Sequence, residues 1–224
     1  DHIPEFIEYF DGRGLDILRS RIKSDPLTTG VPGIDEKVRA AVFFDTVYEE
    51  NNIQDVIGQL YEKSIENDLS WCAWENIEKE RIKTFRHALP ETINTYISEV
   101  KKEFPLIHKL GTDFAVSDEK FPELVSFYRS VLKKSGLNYA SFGHIGDNHI
   151  HINFLPSNYD ELEKGKELYR ILAGKVVELK GSVSAEHGIG KMKHSYLEMM
   201  YGKKGINEMK RVKRIFDPDF LLNR

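Results

Sequence analysis

The sequence predicts an α+β protein, with an antiparallel or mixed sheet covered by helices. Three observations predict it. Residues 149–154 alternate polar and apolar strictly, the period of a strand. Elsewhere apolar residues recur at three- and four-residue spacing, the period of amphipathic helices. The two kinds of stretch follow one another along the chain as two β-α-β-like halves.

Taken in order, Ile3, Phe6, Ile7, Phe10, Leu15, Leu18 and Ile22 suggest one or two short helices broken at Gly12 and Gly14. Residues 25–33, with two prolines and two glycines, read as a loop, and residues 40–48, rich in Val and Phe, as a buried strand. Ile53, Val56, Ile57, Leu60 and Tyr61 mark a helix. A strand over 69–74 and a charged helix over about 75–87 complete one β-α-β unit. A helix through Leu124, Phe127, Tyr128, Val131 and Leu132 stops at Gly136, and residues 137–142 form the next strand. Residues 143–148 turn the chain into the alternating strand. Asn158 and Glu161 form a capping box for a helix reaching to Gly181, followed by a short strand over 182–185. The last helix, with Met209, Val212, Ile215 and Phe216, ends at Asp217-Pro218, because proline disfavours helical geometry in the residue before it.

A chain of 224 residues with 40% hydrophobic and 30% charged residues has the balance of a globular protein, and it can bury a sizeable core. Its formal charge of −4 argues against a nucleic-acid partner. The late basic residues Lys203, Lys204, Lys210, Arg211, Lys213 and Arg214 read as a solvated helix face. Cys72 is the single cysteine, sits in an apolar run and can form no internal disulfide, which points to a reducing, cytoplasmic setting. No stretch approaches the ~20 apolar residues of a membrane span, and Asp1-His2-Ile3-Pro4 does not open like a signal peptide. The absence of an initiator Met suggests a processed chain or an excised fragment.

Four of the eight histidines, His144, His149, His151 and His187, fall in two short glycine-containing segments with Asp147, Asn153 and Glu186. Imidazole and carboxylate are the ligands zinc prefers, and three protein ligands with an open position define a catalytic metal site. His144, His151 and Glu186 are the candidate set, and His149, on the same strand face, is the weaker alternative. The bland reading makes His149, His151 and Asn153 the solvent side of an edge strand. The segment Ser184-Ala185-Glu186-His187-Gly188-Ile189-Gly190 tilts the balance to a site, since its glycines permit positive φ and close approach of backbone to a ligand. A plain tight turn is its alternative. His2, His87, His108 and His194 have no such company.

Gly143-His144-Ile145-Gly146-Asp147-Asn148-His149-Ile150-His151-Ile152-Asn153 resembles the G-H-x-G-D-G-N-x-H-x-N motif of a known family. That family is the C-terminal domain of FAD-linked oxidases acting on 2-hydroxy acids, which includes glycolate oxidase, D-lactate dehydrogenase and D-2-hydroxyglutarate dehydrogenase. Residues 182–190 are similar to its S-x-S-A-E-H-G-x-G motif, and Asp217-Pro218 through Leu222-Asn223 to its terminal D-P-x-x-x-L-N. Two positions depart from the pattern: Asn148 and His149 stand where the family has Gly and Asn. Asn in place of Gly suits a left-handed backbone.

The resemblance implies a ferredoxin-like α+β fold over residues 1–224, acting as the substrate or cap domain beside an FAD-binding domain carried in the same protein or by a partner chain. This chain lacks that domain's glycine-rich pyrophosphate loops. It also implies oxidation of a D-2-hydroxy acid to the 2-oxo acid with hydride passing to FAD. The metal on His144, His151 and Glu186 would be zinc, with iron or manganese as alternatives, and His187 the base. Arg86, Lys109 and Asn153 would hold the substrate carboxylate, and Asn223 would lie near the flavin. Without the resemblance, Arg86 is equally a surface residue of a charged helix. Partners reaching a membrane, a homo-oligomer and an iron-sulfur protein stay open, although this chain lacks the cysteines to hold a cluster. A histidine-triad nucleotide hydrolase is the rival enzyme, and Asn153 defeats it because an amide cannot attack phosphorus. A stand-alone binding module without redox chemistry is the rival from another class.

Overall fold

The computed structural model describes residues 6–24, 33–45 and 75–222, with Pro4, Gly58 and Ala73 besides. In chain order its elements are β1 (Phe6–Asp11), α1 (Gly12–Ser24), β2 (Ala40–Asp45), α2 (Asn76–Glu103), β3 (Leu110–Gly111), α3 (Phe121–Ser135), β4 (Tyr139–His144), β5 (His149–Phe154), α4 (Tyr159–Glu178) and α5 (His194–Phe216). The strands form one sheet in the order β2-β1-β4-β5-β3, antiparallel at every pairing, so the α+β class stands with the antiparallel of the two expected sheets.

Register decides which side chains share a face. Phe10 pairs with Phe142, Phe142 with His151, His144 with His149, and Asn153 with both Ala140 and Gly111. One face therefore carries Glu8, Phe10, Ala140, Phe142 and the polar row of β5. Leu15 and Leu18 of α1 and Phe85, Leu89 and Ile93 of α2 pack on Phe10 and Ala140 there. The opposite face, with Ile150, Ile152 and Phe154, packs on Leu124, Tyr128 and Leu132 of α3 and on Leu162, Tyr169 and Leu172 of α4. With helices on both faces, β5 is buried along its whole length, which removes the reading of its polar row as the solvent side of an edge strand.

Of the one or two short helices expected along residues 3–22, the part through Leu15, Leu18 and Ile22 forms as α1, whereas Phe6–Asp11 is the strand β1. Phe6, Glu8 and Phe10 point to one face while Ile7 and Tyr9 point to the other, and with apolar residues on both sides the period of two is hidden. Asp11 caps α1, accepting the Gly14 N–H at 2.7 Å. The helix expected to end near His87 continues through Pro90 to Glu103. Proline costs it one hydrogen bond, and Ile93 and Ile97 keep the continuation anchored in the core. Gly136 ends α3 at φ 68°, and Asn158 caps α4 by accepting from the Glu161 N–H at 2.9 Å, as expected. The reciprocal arm of the box goes one residue astray, from the Ser157 N–H to Glu161. The expected strand over 182–185 reduces to a single bridge between Ser182 and Ala115. α5 is kinked at Gly202, with φ 64° and ψ 175°. No helix among the described residues is long and apolar enough to cross a membrane. The expected helix near 53–61, the strand near 69–74, Cys72 and Asn223 lie outside the described residues.

Candidate active site

The site is built at the β4–β5 hairpin. A single 3-10 turn over Ile145–Asp147 and a left-handed Asn148 at φ 54° return the chain so that His144 faces His149 across the ladder. Left-handed backbone at residue 148 is what its Asn suggested. Gly143 has φ 141°, and a methyl group added there would lie 2.9 Å from the His149 carbonyl oxygen and 3.0 Å from His151 Cδ2. Only glycine lets the strands close at this point. Gly188 and Gly190 also have positive φ, 70° and 53°, and bring Glu186 and His187 over the hairpin.

Candidate ligand atoms of His144, His149, His151 and Glu186 lie within 4.8 Å of one another. Glu186 Oε1 is 3.1 Å from His144 Nε2 and 3.4 Å from His149 Nδ1. Each of the three rings is held from behind by an oxygen. His144 Nδ1 is 3.0 Å from Glu8 Oε1, and His151 Nδ1 is 2.8 Å from the Thr112 carbonyl oxygen. His149 Nε2 is 3.2 Å from Asp113 Oδ1, although not aligned as a full hydrogen bond. A carbonyl only accepts, so His151 carries its proton on Nδ1 and presents the Nε2 lone pair. Burial pushes the His151 pKa down to about 4, with His149, His187 and His144 adding to the effect against the Thr112 hydrogen bond. Burial lowers His149 as well, despite Glu186 and Asp113. Neutral imidazole is the form that binds metal.

His187 is exposed, and its ring stacks on His151 at 5.0 Å and 6°. It lies 4.0 Å from both Asp113 Oδ1 and Glu186 Oε2. Asp113 is wholly buried and organises this loop. It accepts the Glu186 and His187 N–H groups at 3.1 Å each, and the Ser184 hydroxyl and Lys193 ammonium at 2.9 Å each. Burial alone would raise its pKa, but the Lys193 hydrogen bond, the Glu186 amide and the Ser184 hydroxyl together hold it below the usual carboxylate range.

The structure thus brings together His144, His151, Glu186 and His187. Arg86 reaches the cluster indirectly, hydrogen-bonded to the buried Glu8 carboxylate that also faces His144, and its guanidinium lies 4.7 Å from the Phe6 ring centre. Asn153 is 3% exposed, and its Nδ2 has no partner among the described residues. Lys109 Nζ lies 3.3 Å from Asn94 Oδ1, with its pKa lowered by desolvation, and its Cε and Asn153 Oδ1 flank the same side of Gly111. Glu8, Thr112, Asp113 and Lys193 are the site residues that sequence reasoning missed. Glu8 was hidden by the helical reading of β1, whereas a period-two reading of Phe6, Glu8 and Phe10 would have flagged a carboxylate in an apolar row.

The profile of the family described as the C-terminal domain of FAD linked oxidases matches residues 1–224. The chain belongs to that family. It is 34% identical over 113 residues to glycolate oxidase subunit GlcD of Bacillus subtilis (strain 168), covering 50% of this chain and 24% of that protein. It is 41% identical over 140 residues to the D-2-hydroxyglutarate dehydrogenase of Stutzerimonas stutzeri (strain A1501), covering 58% and 29%. With the D-lactate dehydrogenase of Anaerostipes hadrus the figures are 32% over 114 residues, 50% and 24%. This FAD linked oxidase domain therefore aligns with only 24% to 29% of the length of these relatives.

Proposed function

We propose that residues 1–224 form the substrate-binding domain of a cytoplasmic, FAD-dependent oxidoreductase that converts a D-2-hydroxy acid to the 2-oxo acid. The observation that carries this reading is the convergence of His144, His151 and Glu186 on one point with His187 beside them. FAD, carried by a separate flavin-binding domain, would accept the hydride from C2. Buried neutral imidazoles and a carboxylate fit a divalent cation of the zinc, iron or manganese class. His144, His151 and Glu186 would hold it, and when bound it would lower the pKa of a coordinated hydroxyl by many units.

His187 Nε2 takes the hydroxyl proton in this scheme. Its Nδ1 lies 4.0 Å from Asp113 Oδ1 and its Nε2 4.0 Å from Glu186 Oε2, so two carboxylates stand near the charge that proton transfer would place on the ring. The unpartnered Asn153 Nδ2 supplies a donor for the substrate carboxylate. The guanidinium of Arg86 adds charge-assisted hydrogen bonds through the N–H groups that Glu8 leaves free, and Lys109 adds a cation. Asn223 completes the flavin-facing side in this reading.

Element-resolved metal analysis of the purified chain tests it. Near-stoichiometric metal is expected in the wild type and in His194→Ala, and its loss in His151→Ala. Equal retention in both variants overturns the ligand assignment. Addition of a flavin-binding domain from a relative and of D-lactate, glycolate or D-2-hydroxyglutarate is expected to bleach the flavin. A metal-loaded chain that supports no flavin reduction with any 2-hydroxy acid leaves a binding module instead.

A further inference from the structure

We propose that His149 is a fourth protein ligand, so that three imidazoles and one carboxylate enclose the metal. The inference rests on the reading above that this cluster holds one. Ligand atoms on a tetrahedral ion with bonds of about 2.0 Å lie about 3.3 Å apart. Glu186 Oε1 stands 3.1 Å from His144 Nε2 and 3.4 Å from His149 Nδ1, so the two rings flank the shared oxygen at spacings on either side of that value.

The protons available to His149 point the same way. A neutral imidazole has one N–H, yet the two nitrogens of His149 face two carboxylates, Asp113 at 3.2 Å and Glu186 at 3.4 Å. One nitrogen is then left with its lone pair beside a carboxylate oxygen instead of a donor. A cation between Nδ1 and Glu186 Oε1 relieves that conflict without charging the ring. His144 shows the same arrangement, with Nδ1 toward Glu8 and Nε2 toward Glu186. His151 completes it, with Nδ1 on the Thr112 carbonyl. His144 and His151 thus have the outer oxygen neighbour that metal-bound histidines use to fix ring orientation, and His149 Nε2 lies 3.2 Å from Asp113 Oδ1 without the alignment of a full hydrogen bond.

The neighbouring trio of Asp113, His151 and His187 is not a second centre, because both Asp113 oxygens are already occupied by amide, hydroxyl and ammonium donors. Four protein ligands leave no vacant corner on a tetrahedral ion. A substrate oxygen would then have to join these four protein ligands as an additional one.

Counting imidazoles by X-ray absorption on the zinc-loaded full chain tests this directly. Three are expected in the wild type and two in His149→Asn, whose zinc affinity, read by chelator competition, falls about tenfold or more. Two imidazoles in the wild type overturn the proposal, as does an unchanged count and affinity in His149→Asn. The wild-type count stands even if the variant fails to fold. Loss of zinc in His151→Ala shows the underlying centre is real, so a failure confined to His149 is distinguishable from failure of the whole metal reading.

Discussion

Burying an imidazole makes stability depend on pH. His151 in the metal-free chain titrates at about 4 when folded, against 6.5 for an ordinary imidazole. Between those values the unfolded chain binds a proton that the folded chain refuses, so stability is fully present above about pH 6.5 and falls as pH drops toward 4. The gap between the two values corresponds to about 3 kcal/mol. Urea unfolding of the metal-free chain at pH 7 and pH 4.5 should show this loss, and His151→Gln should show a markedly shallower slope. An identical slope in the variant contradicts the assignment. Asp113 is held low rather than raised, so its contribution is lost only below the ordinary carboxylate range and does not overlap this window. At this scale the sequence disclosed His144, His151, Glu186 and His187, because their types and glycine neighbours are local signals. It did not disclose Glu8 or Asp113, whose roles arise from partners 136 and 80 residues away, at His144 and Lys193.

The β4–β5 hairpin is the element on which the site depends, and Gly143 is its tightest point. Replacing it with Ala places a methyl group 2.9 Å from the backbone at His149 and demands φ 141° of a residue that avoids it. The expected cost is about 1–3 kcal/mol, a fall of several degrees in the thermal midpoint, with weaker metal binding alongside. A midpoint within a degree of wild type would show that the strands can shift to accommodate it. Elements with one clear period, such as β5 and α3, were legible because their neighbours reinforce local preference. β1 was not, since a strand apolar on both faces loses its alternation, and α2 was not beyond Pro90, since tertiary contacts at Ile93 and Ile97 outweigh the proline.

At the scale of the molecule, one sheet separates two cores among the described residues. Leu89 of α2 and Leu172 of α4 are both fully buried, on opposite faces. Truncation of either to Ala should cost about 2–5 kcal/mol, and because both cores share the same strands the loss should appear as a shift of one cooperative transition. Separate transitions in fluorescence and circular dichroism would show that the layers melt independently. The sequence anticipated the class of this architecture, but strand order depends on long-range pairing that no local pattern encodes. That order has a consequence for synthesis. Tyr9 of β1 pairs with Gly143 of β4, so a nascent chain carries its β1–β2 ladder with one side unpaired until more than half of the remaining polypeptide has emerged. During that interval the exposed edge is open to the same strand of a neighbouring copy, so refolding yield is expected to fall as chain concentration rises.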